Sequence, residues 1–363
     1  MKQPYLSDNL EQTQESSERP HQIAPSELES VQALASELAD RLANIPDGDM
    51  VGEIVTNAMK LLRDRTNRGD LKLINKSFKE LRYALKIFAP YRDVRKVSIF
   101  GSARTPENHA DYQQACEFAR RMAKTGWMVI TGAGGGIMAA GHGGAGPDPS
   151  FGLAIRLPFE QATNSFIANN PKLINFKYFF TRKLMFVRAA HAVALFPGGF
   201  GTMDEGFEVL TLIQTGKSTP VPVVLIDSPG GTYWQAWRRY VEDALLRQNL
   251  INPDDMHLFK ITDSIDAAVN EVTHFYSNYH SIRYYREELI IRLKHRPTDA
   301  QLRELERDFS DIKTGGHFIA SGPLPIEHDE PDLDALHRLV FAFDTHHQAR
   351  LRLMIDRLNN MAS

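Results

Sequence analysis

The chain has 363 residues, with 42 Lys and Arg against 45 Asp and Glu, a net charge of -3 at pH 7, and one cysteine. A near-neutral balance gives no electrostatic signature of a nucleic-acid-binding protein. One cysteine excludes an intrachain disulfide framework and gives no support for a zinc site. No apolar run is long enough to cross a bilayer, and the polar N-terminus lacks the apolar stretch of a signal peptide. We therefore expect a cytoplasmic protein with no membrane or nucleic-acid partner.

The first part of the chain predicts a tail followed by helices. Residues 1–25 are rich in Gln, Glu and Ser, which is typical of a disordered segment. Residues 26–93 form an N-terminal helical segment in this interpretation, because apolar residues recur there at helical spacing. The predicted helices cover residues 26–43, 50–63 and 71–88.

Residues 94–279 alternate short apolar runs with helical patterns, which predicts an α/β core with a doubly wound, Rossmann-like parallel sheet. The strands are predicted at residues 97–100, 128–131, 151–157, 191–196, 221–226 and 259–261. Beyond residue 279 the composition becomes charged, and we interpret residues 280–363 as a C-terminal helical extension. Its helices are predicted at residues 282–294, 298–312 and 333 to about 358, with a loop at residues 314–331.

The sequence PGGFGTMDE at residues 197–205 joins a predicted strand to a predicted helix. Glycines in such a turn let a ligand approach the backbone, and the unpaired N–H groups at the helix start favour a phosphate. Thr202 adds a hydroxyl, and Glu205 and Glu208 lie on one face of the helix. A phosphate site one turn from a carboxylate suggests chemistry on a sugar phosphate. The alternative is a tight connection with solvent-exposed acids in the first helical turn, where acids are favoured anyway.

A second candidate is Arg182-Lys183, which follows Thr181, a predicted N-cap. Cations oppose the dipole at a helix N-terminus, and such a local conflict is expected at functional sites. A surface Arg-Lys pair is the alternative. A further glycine turn, GAGGGIMAA at residues 132–140, fits the dinucleotide fingerprint from Gly134. It does not follow the first strand, so NAD binding is not expected. His142, beyond this turn, could contact the substrate, but a loop histidine without a role is the favoured interpretation.

Three segments together resemble the LONELY GUY (LOG) family, namely FGSAR at residues 100–104, TRKLM at 181–185 and PGGFGTMDE at 197–205. The resemblance extends over residues 94–279, about half of the chain. LOG proteins are nucleoside 5'-monophosphate phosphoribohydrolases that were long labelled lysine decarboxylases. The resemblance implies hydrolysis of the N-glycosidic bond of AMP or of a cytokinin riboside 5'-monophosphate, without a metal or cofactor. It also implies a homodimer or a higher homo-oligomer.

The resemblance assigns catalysis to Arg182 and Glu205. The substrate-binding residues that it and the glycine turns indicate are Gly101, Ser102, Arg104, Gly134, Gly135, Lys183, Gly198, Gly199, Gly201, Thr202 and Glu208. Glu205 could act as a nucleophile, stabilise a ribosyl cation or activate water as a base. The family usually carries an acid where this chain has Ala139, so any contact made through that acid is in doubt.

Two other functions are considered. Molybdenum cofactor carriers are similar in fold and use a similar glycine turn, so a non-catalytic nucleotide or molybdenum-cofactor carrier is the alternative. A carrier has no need of the Arg182–Glu205 pair. A decarboxylase that uses pyridoxal phosphate needs a Schiff-base lysine, typically preceded by histidine in a small-residue loop. The sequence contains no such segment, and this function is set aside.

Overall fold

The computed structural model of the protein describes residues 25–157 and 162–361. The predicted disordered tail lies outside these residues, apart from Pro25. The chain divides into two compact units with the boundary between Tyr83 and Ala84. The predicted domain limits at residues 93 and 279 remain predictions.

The first unit contains the helices that the sequence predicts. Their bounds are α1 Pro25–Leu42, α2 Gly48–Arg63 and α3 Arg68–Phe88, the last of which continues into the second unit. Helices α1 and α2 pack closely, because a Cβ added at Gly52 would lie 3.1 Å from Cβ of Ala39. The prediction of a helical N-terminal segment is confirmed.

The second unit is built on a parallel sheet of seven strands with the order β4-β3-β2-β1-β5-β6-β7. The strands are β1 Lys96–Phe100, β2 Met128–Thr131, β3 Ser150–Ile155, β4 Leu173–Phe176, β5 Ala192–Leu195, β6 Val223–Ile226 and β7 Lys260–Thr262. The helices between them are α4 Ala110–Lys124, α5 Ile137–Ala145, α6 Phe179–Ala189, α7 Phe200–Gln214, α8 Tyr233–Tyr240 and α9 Ile265–His274. The central strands are buried along their whole length, as expected where helices cover both faces of a sheet.

This architecture confirms the predicted doubly wound, Rossmann-like α/β fold. Six strands lie within a few residues of their predicted positions, and β4 at the sheet edge is an addition. Its four residues alternate in burial and follow a loop, so its pattern is too short to stand out in the sequence.

The prediction of a purely helical C-terminal extension is wrong. A second, antiparallel sheet with the order β10-β11-β9-β8 lies there. Its strands are β8 Tyr279–Tyr285, β9 Glu288–Leu293, β10 Lys313–Ser321 and β11 His337–Phe343, accompanied by helices α10 Asp299–Phe309 and α11 Gln348–Asn360. The predicted helix at residues 298–312 is confirmed in α10, which Thr298 caps together with Gln301.

The other two predicted helices fail for a recognisable reason. Residues 282–294 form the hairpin β8–β9, whose turn places Arg286 at a φ of 55°. Aromatic and β-branched residues favour strands, and the central residues of β9 are completely buried between its neighbours. Residues 333–358 contain β11 before α11 begins, so the charges that suggested one long helix flank a buried strand.

Candidate active site

The strand order reverses direction at one point, between β1 and β5. In open parallel sheets, ligands bind in the crevice at the carboxyl ends of the strands at such a point. Here two segments predicted from the sequence leave the sheet side by side. The Ser102 N–H after β1 donates to the Pro197 carbonyl after β5 at 3.0 Å, and the Ser102 carbonyl accepts from the Ile137 N–H at 3.0 Å. Ser102 therefore joins both glycine turns at the switch point.

The glycine turn before α7 presents free donors. In the described part of the chain, the N–H groups of Phe200 and Gly201 donate to no protein group. A Cβ added at Gly199 or Gly201 would meet nothing within 4 Å. The hydroxyl of Thr202 lies against Gly198, on the inner side of the turn. This arrangement of exposed N–H groups at a helix start suits an anion.

Tyr233 also contacts this turn, and no sequence pattern predicted that contact. Its hydroxyl donates to the Gly198 carbonyl, and it is the first residue of α8. The side chain of Asp227, at the end of β6, accepts the Trp234 N–H at 3.0 Å and so fixes the start of that helix. No sequence pattern links residues 198 and 233, since only the fold brings them together.

The second glycine turn precedes α5. Gly136 has a φ of 59°, and its added Cβ would collide with the Ser102 carbonyl, so the turn requires glycine there. Gly135 is exposed and faces the Ala103 carbonyl, while Gly134 lies against the side chain of Met138. Gly134 and Gly135, both predicted to bind substrate, therefore lie beside the loop that follows β1.

The prediction that His142 lies in a loop is wrong. It lies in α5 rather than in a loop, and it is completely buried. Its Nε2 lies 3.1 Å from the Thr131 hydroxyl and 3.0 Å from the Phe151 carbonyl, while its Nδ1 lies 3.1 Å from Asn164 Nδ2. Burial lowers the pKa of His142, which keeps the ring neutral. Asn164 also donates to the Gly134 carbonyl at 2.9 Å, so this pair supports the second turn.

Arg182 lies in the first turns of α6, which begins at Phe179. Thr181 is thus not the N-cap that the sequence predicted: its hydroxyl donates to the Tyr178 carbonyl within the first turn. The Arg182 Nε donates to the Leu153 carbonyl at 2.7 Å, and Nη2 donates to the Gly132 carbonyl at 3.4 Å. Within the described residues Nη1 has no hydrogen-bond partner, so one end of the planar group stays available to a ligand.

Glu205 lies one turn into α7 and is 7% exposed. Its Oε2 is buried and has no hydrogen-bond partner among the described residues. Burial is the main reason that the pKa of Glu205 rises to about 7, while Lys183 and Arg182 lower it and Glu208 raises it. Buried carboxylates are normally satisfied, and a pKa near neutrality in a crevice is characteristic of functional groups.

Lys183 connects the two helices that carry the candidate catalytic residues. Its Nζ lies 2.8 Å from Asp204 and 2.9 Å from Glu208. Desolvation lowers the pKa of Lys183, but the hydrogen bonds that its Nζ donates to these two carboxylates outweigh that effect and raise the pKa above its ordinary value. Glu208 and Lys183, both predicted to bind substrate, are therefore partners of each other.

The remaining predicted substrate-binding residues lie beside the two glycine turns. Gly101 lies against Ile137, at less than van der Waals distance for an added Cβ. Arg104 is exposed, and its N–H donates to the Ser102 hydroxyl at 3.1 Å. Ala139 is buried in α5. In the described parts of the chain, no three His, Cys, Asp or Glu side chains come together as a metal site.

Residues 136–272 match the model of a family described as "Possible lysine decarboxylase", which is the LOG family. This match supports the resemblance to the LOG family over that segment, which is less than half of the chain. The matched segment contains both candidate catalytic residues, Arg182 and Glu205, and all of the turn before α7. It begins after Gly101, Ser102, Arg104, Gly134 and Gly135.

Several solved structures are similar to about half of the chain at low identity. The molybdenum cofactor binding protein of Rippkaea orientalis is 16% identical over 50% of this chain and 94% of its own, with a TM-score of 0.36. The molybdenum cofactor carrier protein of Chlamydomonas reinhardtii is 18% identical over 50% and 96%, with a TM-score of 0.34. DNA processing protein A of Helicobacter pylori is 16% identical over 49% and 80%, with a TM-score of 0.35.

These similarities are too distant to carry an argument about what the chain binds. The sequence matches no curated protein. In the described residues, no helix is both long and apolar enough to span a bilayer.

Proposed function

We propose that the protein hydrolyses the N-glycosidic bond of a nucleoside 5'-monophosphate, either AMP or a cytokinin riboside 5'-monophosphate, to the free base and ribose 5-phosphate. The observation that carries this proposal is the carboxylate of Glu205, which is buried, has an oxygen without a partner and lies one turn from exposed backbone N–H groups.

The glycine turn before α7 binds the 5'-phosphate in this proposal. The N–H groups of Phe200 and Gly201 and the dipole of α7 supply positive potential, and the empty space over Gly199 and Gly201 lets the phosphate reach the backbone. The Thr202 hydroxyl at the inner side of the turn is an additional donor. The phosphate then anchors the ribose one helical turn from Glu205.

Glu205 acts on the ribose. As the C1'–N bond breaks, the base leaves with the bonding electrons and the ribose acquires oxocarbenium character. An ionised carboxylate that is itself largely buried stabilises that charge more strongly than an exposed one, because less solvent screening intervenes. Water adds its oxygen and one proton to C1' as a hydroxyl, and its second proton is passed by way of the general base to the departing base, which leaves neutral. The Glu205 carboxylate is the group positioned to accept that proton.

Arg182 orients the substrate. Two of its nitrogens are fixed by the carbonyls of Leu153 and Gly132, so its free Nη1 is held in one direction. A guanidinium held in this way loses little entropy when it donates to a ribose hydroxyl or a phosphate oxygen. Burial lowers the pKa of Arg182 to about 10, which leaves it charged at neutral pH.

The test is direct. The purified protein is incubated with AMP, GMP, CMP, UMP and isopentenyladenosine monophosphate, and free base is followed by chromatography. Release of base together with ribose 5-phosphate supports the proposal, and the order of rates identifies the substrate. If all five stay intact while calorimetry detects nucleotide binding, a non-catalytic nucleotide or cofactor carrier replaces the hydrolase.

We also propose that the chain acts in the cytoplasm as a homodimer or a higher homo-oligomer. Apolar side chains are exposed at the starts of α6 and α7, and Phe200 in the glycine turn is 96% exposed. Exposed apolar groups around a site are typical of protein interfaces. Light scattering on the intact protein and on Phe200→Glu tests this: an oligomer that dissociates supports it, and a wild-type monomer contradicts it.

A further inference from the structure

A second cleft opens at the amino ends of the parallel strands, where β1, β2 and β5 begin. It has a volume of about 560 Å³, which suits a small ligand. Its lining residues are Asp93, Val94, Arg95, Thr125, Gly126, Trp127, Thr273, Tyr276 and Lys294. None of these residues belongs to the candidate active site, which lies at the carboxyl ends of the same strands.

The cleft is lined by cations that lack acidic partners. In the described part of the chain, neither Arg95 nor Lys294 forms an ion pair. The guanidinium carbon of Arg95 lies 3.6 Å from the centre of the Tyr276 ring, and the Lys294 Nζ donates to the Tyr276 carbonyl. Asp93 is the carboxylate in the lining, and it is exposed.

Further basic groups surround this pair. Lys96 is buried, and its Nζ donates to the carbonyls of Tyr91 and Val94 rather than to a carboxylate. His191 accepts the Lys96 N–H on Nδ1 at 3.2 Å, so its ring is neutral there. An arginine and two lysines thus share a half-buried region in which neutral carbonyls and an aromatic ring are the principal partners.

Desolvation is the main influence on the pKa values of the basic groups in this region. Burial is the first reason that the pKa of Lys96 falls to about 8, and burial followed by the charges of Lys96 and Arg95 lowers the pKa of His191 to about 4. Burial and Arg95 also lower the pKa of Lys294. A partly desolvated cation without an acidic partner is costly, and an anion bound beside Arg95 would offset part of that cost.

We propose that this cleft binds a small phosphate-bearing anion, with Arg95 and Lys294 as its ligands and Trp127 and Tyr276 as its apolar wall. A phosphate dianion matches two cations, and the planar arginine donates two parallel hydrogen bonds to phosphate oxygens while the lysine contributes a point charge. Tyr276 holds the guanidinium by cation–π contact, which orients it before a ligand arrives.

The probe is inorganic pyrophosphate, titrated into the full chain at low salt with calorimetry and tryptophan fluorescence. Trp127 lines this cleft, so its fluorescence reports on this site. Comparing the wild type with Trp127→Phe identifies the part of the signal that belongs to the cleft. Acetate is titrated in parallel to test for a site that accepts any carboxylate.

We expect Arg95→Gln and Lys294→Gln each to weaken the binding that Trp127 reports by at least about tenfold, as expected for a lost charge-assisted contact. Lys217→Gln is the matched control, because Lys217 is exposed and distant in sequence from the cleft. Lys294 is exposed, so its variant tests the site even if Arg95→Gln fails to fold.

The proposal is overturned if the two variants bind pyrophosphate as the control does, if the wild type shows no change in Trp127 fluorescence, or if acetate binds as tightly as pyrophosphate. These outcomes are independent of nucleotide hydrolysis. A protein that releases no base from any nucleotide could still bind pyrophosphate here. A protein that hydrolyses a nucleotide could equally fail to bind pyrophosphate in this cleft.

Discussion

Arg182 and Glu205 influence each other without forming an ion pair. Burial lowers the pKa of Arg182 to about 10 and raises that of Glu205 to about 7, and the attraction between the two charges offsets only part of each effect. Among the described residues, no nitrogen of Arg182 lies within 4.0 Å of a carboxylate oxygen of Glu205. Each side chain can therefore still interact with a charged group of a bound ligand. A nucleotide, with its phosphate and its incipient ribosyl cation, would use both.

Glu205→Gln is expected to reduce base release by about 10²–10⁴-fold while nucleotide binding persists. The amide keeps the shape of the side chain but removes the charge that stabilises the ribosyl cation, and the backbone donors of the glycine turn remain. Single-turnover rates and calorimetric binding constants are measured for both proteins. Glu242→Gln, an exposed acid in an i,i+4 ion pair with Arg238, serves as the control. Loss of binding together with turnover would contradict the assigned role.

The pH dependence of kcat/KM should follow the ionisation of Glu205. Because the mechanism needs the carboxylate, activity rises with pH and levels off above about 7. Below that pH the rate falls about tenfold per pH unit, as for one essential base. Rates are measured from pH 5 to 9 at constant ionic strength. A profile that is flat across pH 7, or that rises toward acid, would exclude this role.

Glu205 also links stability to pH. Its pKa is raised from 4.5 to about 7 in the folded chain, so the native state binds more protons than the unfolded state between these values. Its contribution to the free energy of unfolding therefore falls as pH rises through this window. Glu205→Gln is expected to be more stable than the wild type at pH 8, by up to about 3 kcal/mol, and nearly equal to it at pH 4. Urea unfolding at both pH values measures the difference, and an unchanged difference would contradict the raised pKa.

Substitutions at two glycines should distinguish an effect on ligand binding from an effect on stability. A Cβ at Gly201 meets nothing within 4 Å, whereas a Cβ at Gly136 collides with the Ser102 carbonyl at a φ of 59°. Gly201→Ala is expected to unfold like the wild type but to raise KM about tenfold or more, because the methyl group occupies the phosphate position. Gly136→Ala is expected to lower the free energy of unfolding by about 1–3 kcal/mol.

Thermal unfolding and steady-state kinetics on the two glycine variants complete this comparison. Gly315→Ala is the control, since its added Cβ also meets open space but in β10. If Gly201→Ala keeps the wild-type KM, the phosphate does not bind over that turn.

The sequence by itself determined the parallel sheet and its helices, because buried strands and amphipathic helices each have a period that can be read from apolar residues. It also located Arg182, Glu205 and the glycine turn before α7, whose local strand–turn–helix geometry follows from nearby residues. The same reasoning failed at residues 282–294, where a short buried hairpin and a helix have similar apolar content and only pairing with β11 decides.

Only the tertiary structure decided which side chains support the site. The Tyr233 hydroxyl donates to the Gly198 carbonyl, and Asn164, which contacts His142, donates to the Gly134 carbonyl. Each of these two hydrogen bonds joins residues that are 30 or more positions apart in the chain. The structure alone also shows that Glu205 is buried with an unpaired oxygen and that Arg95 and Lys294 line one cleft without forming an ion pair among the described residues. Burial and charge pairing depend on every neighbour in space, whereas local periodicity and turn chemistry depend on neighbours in sequence.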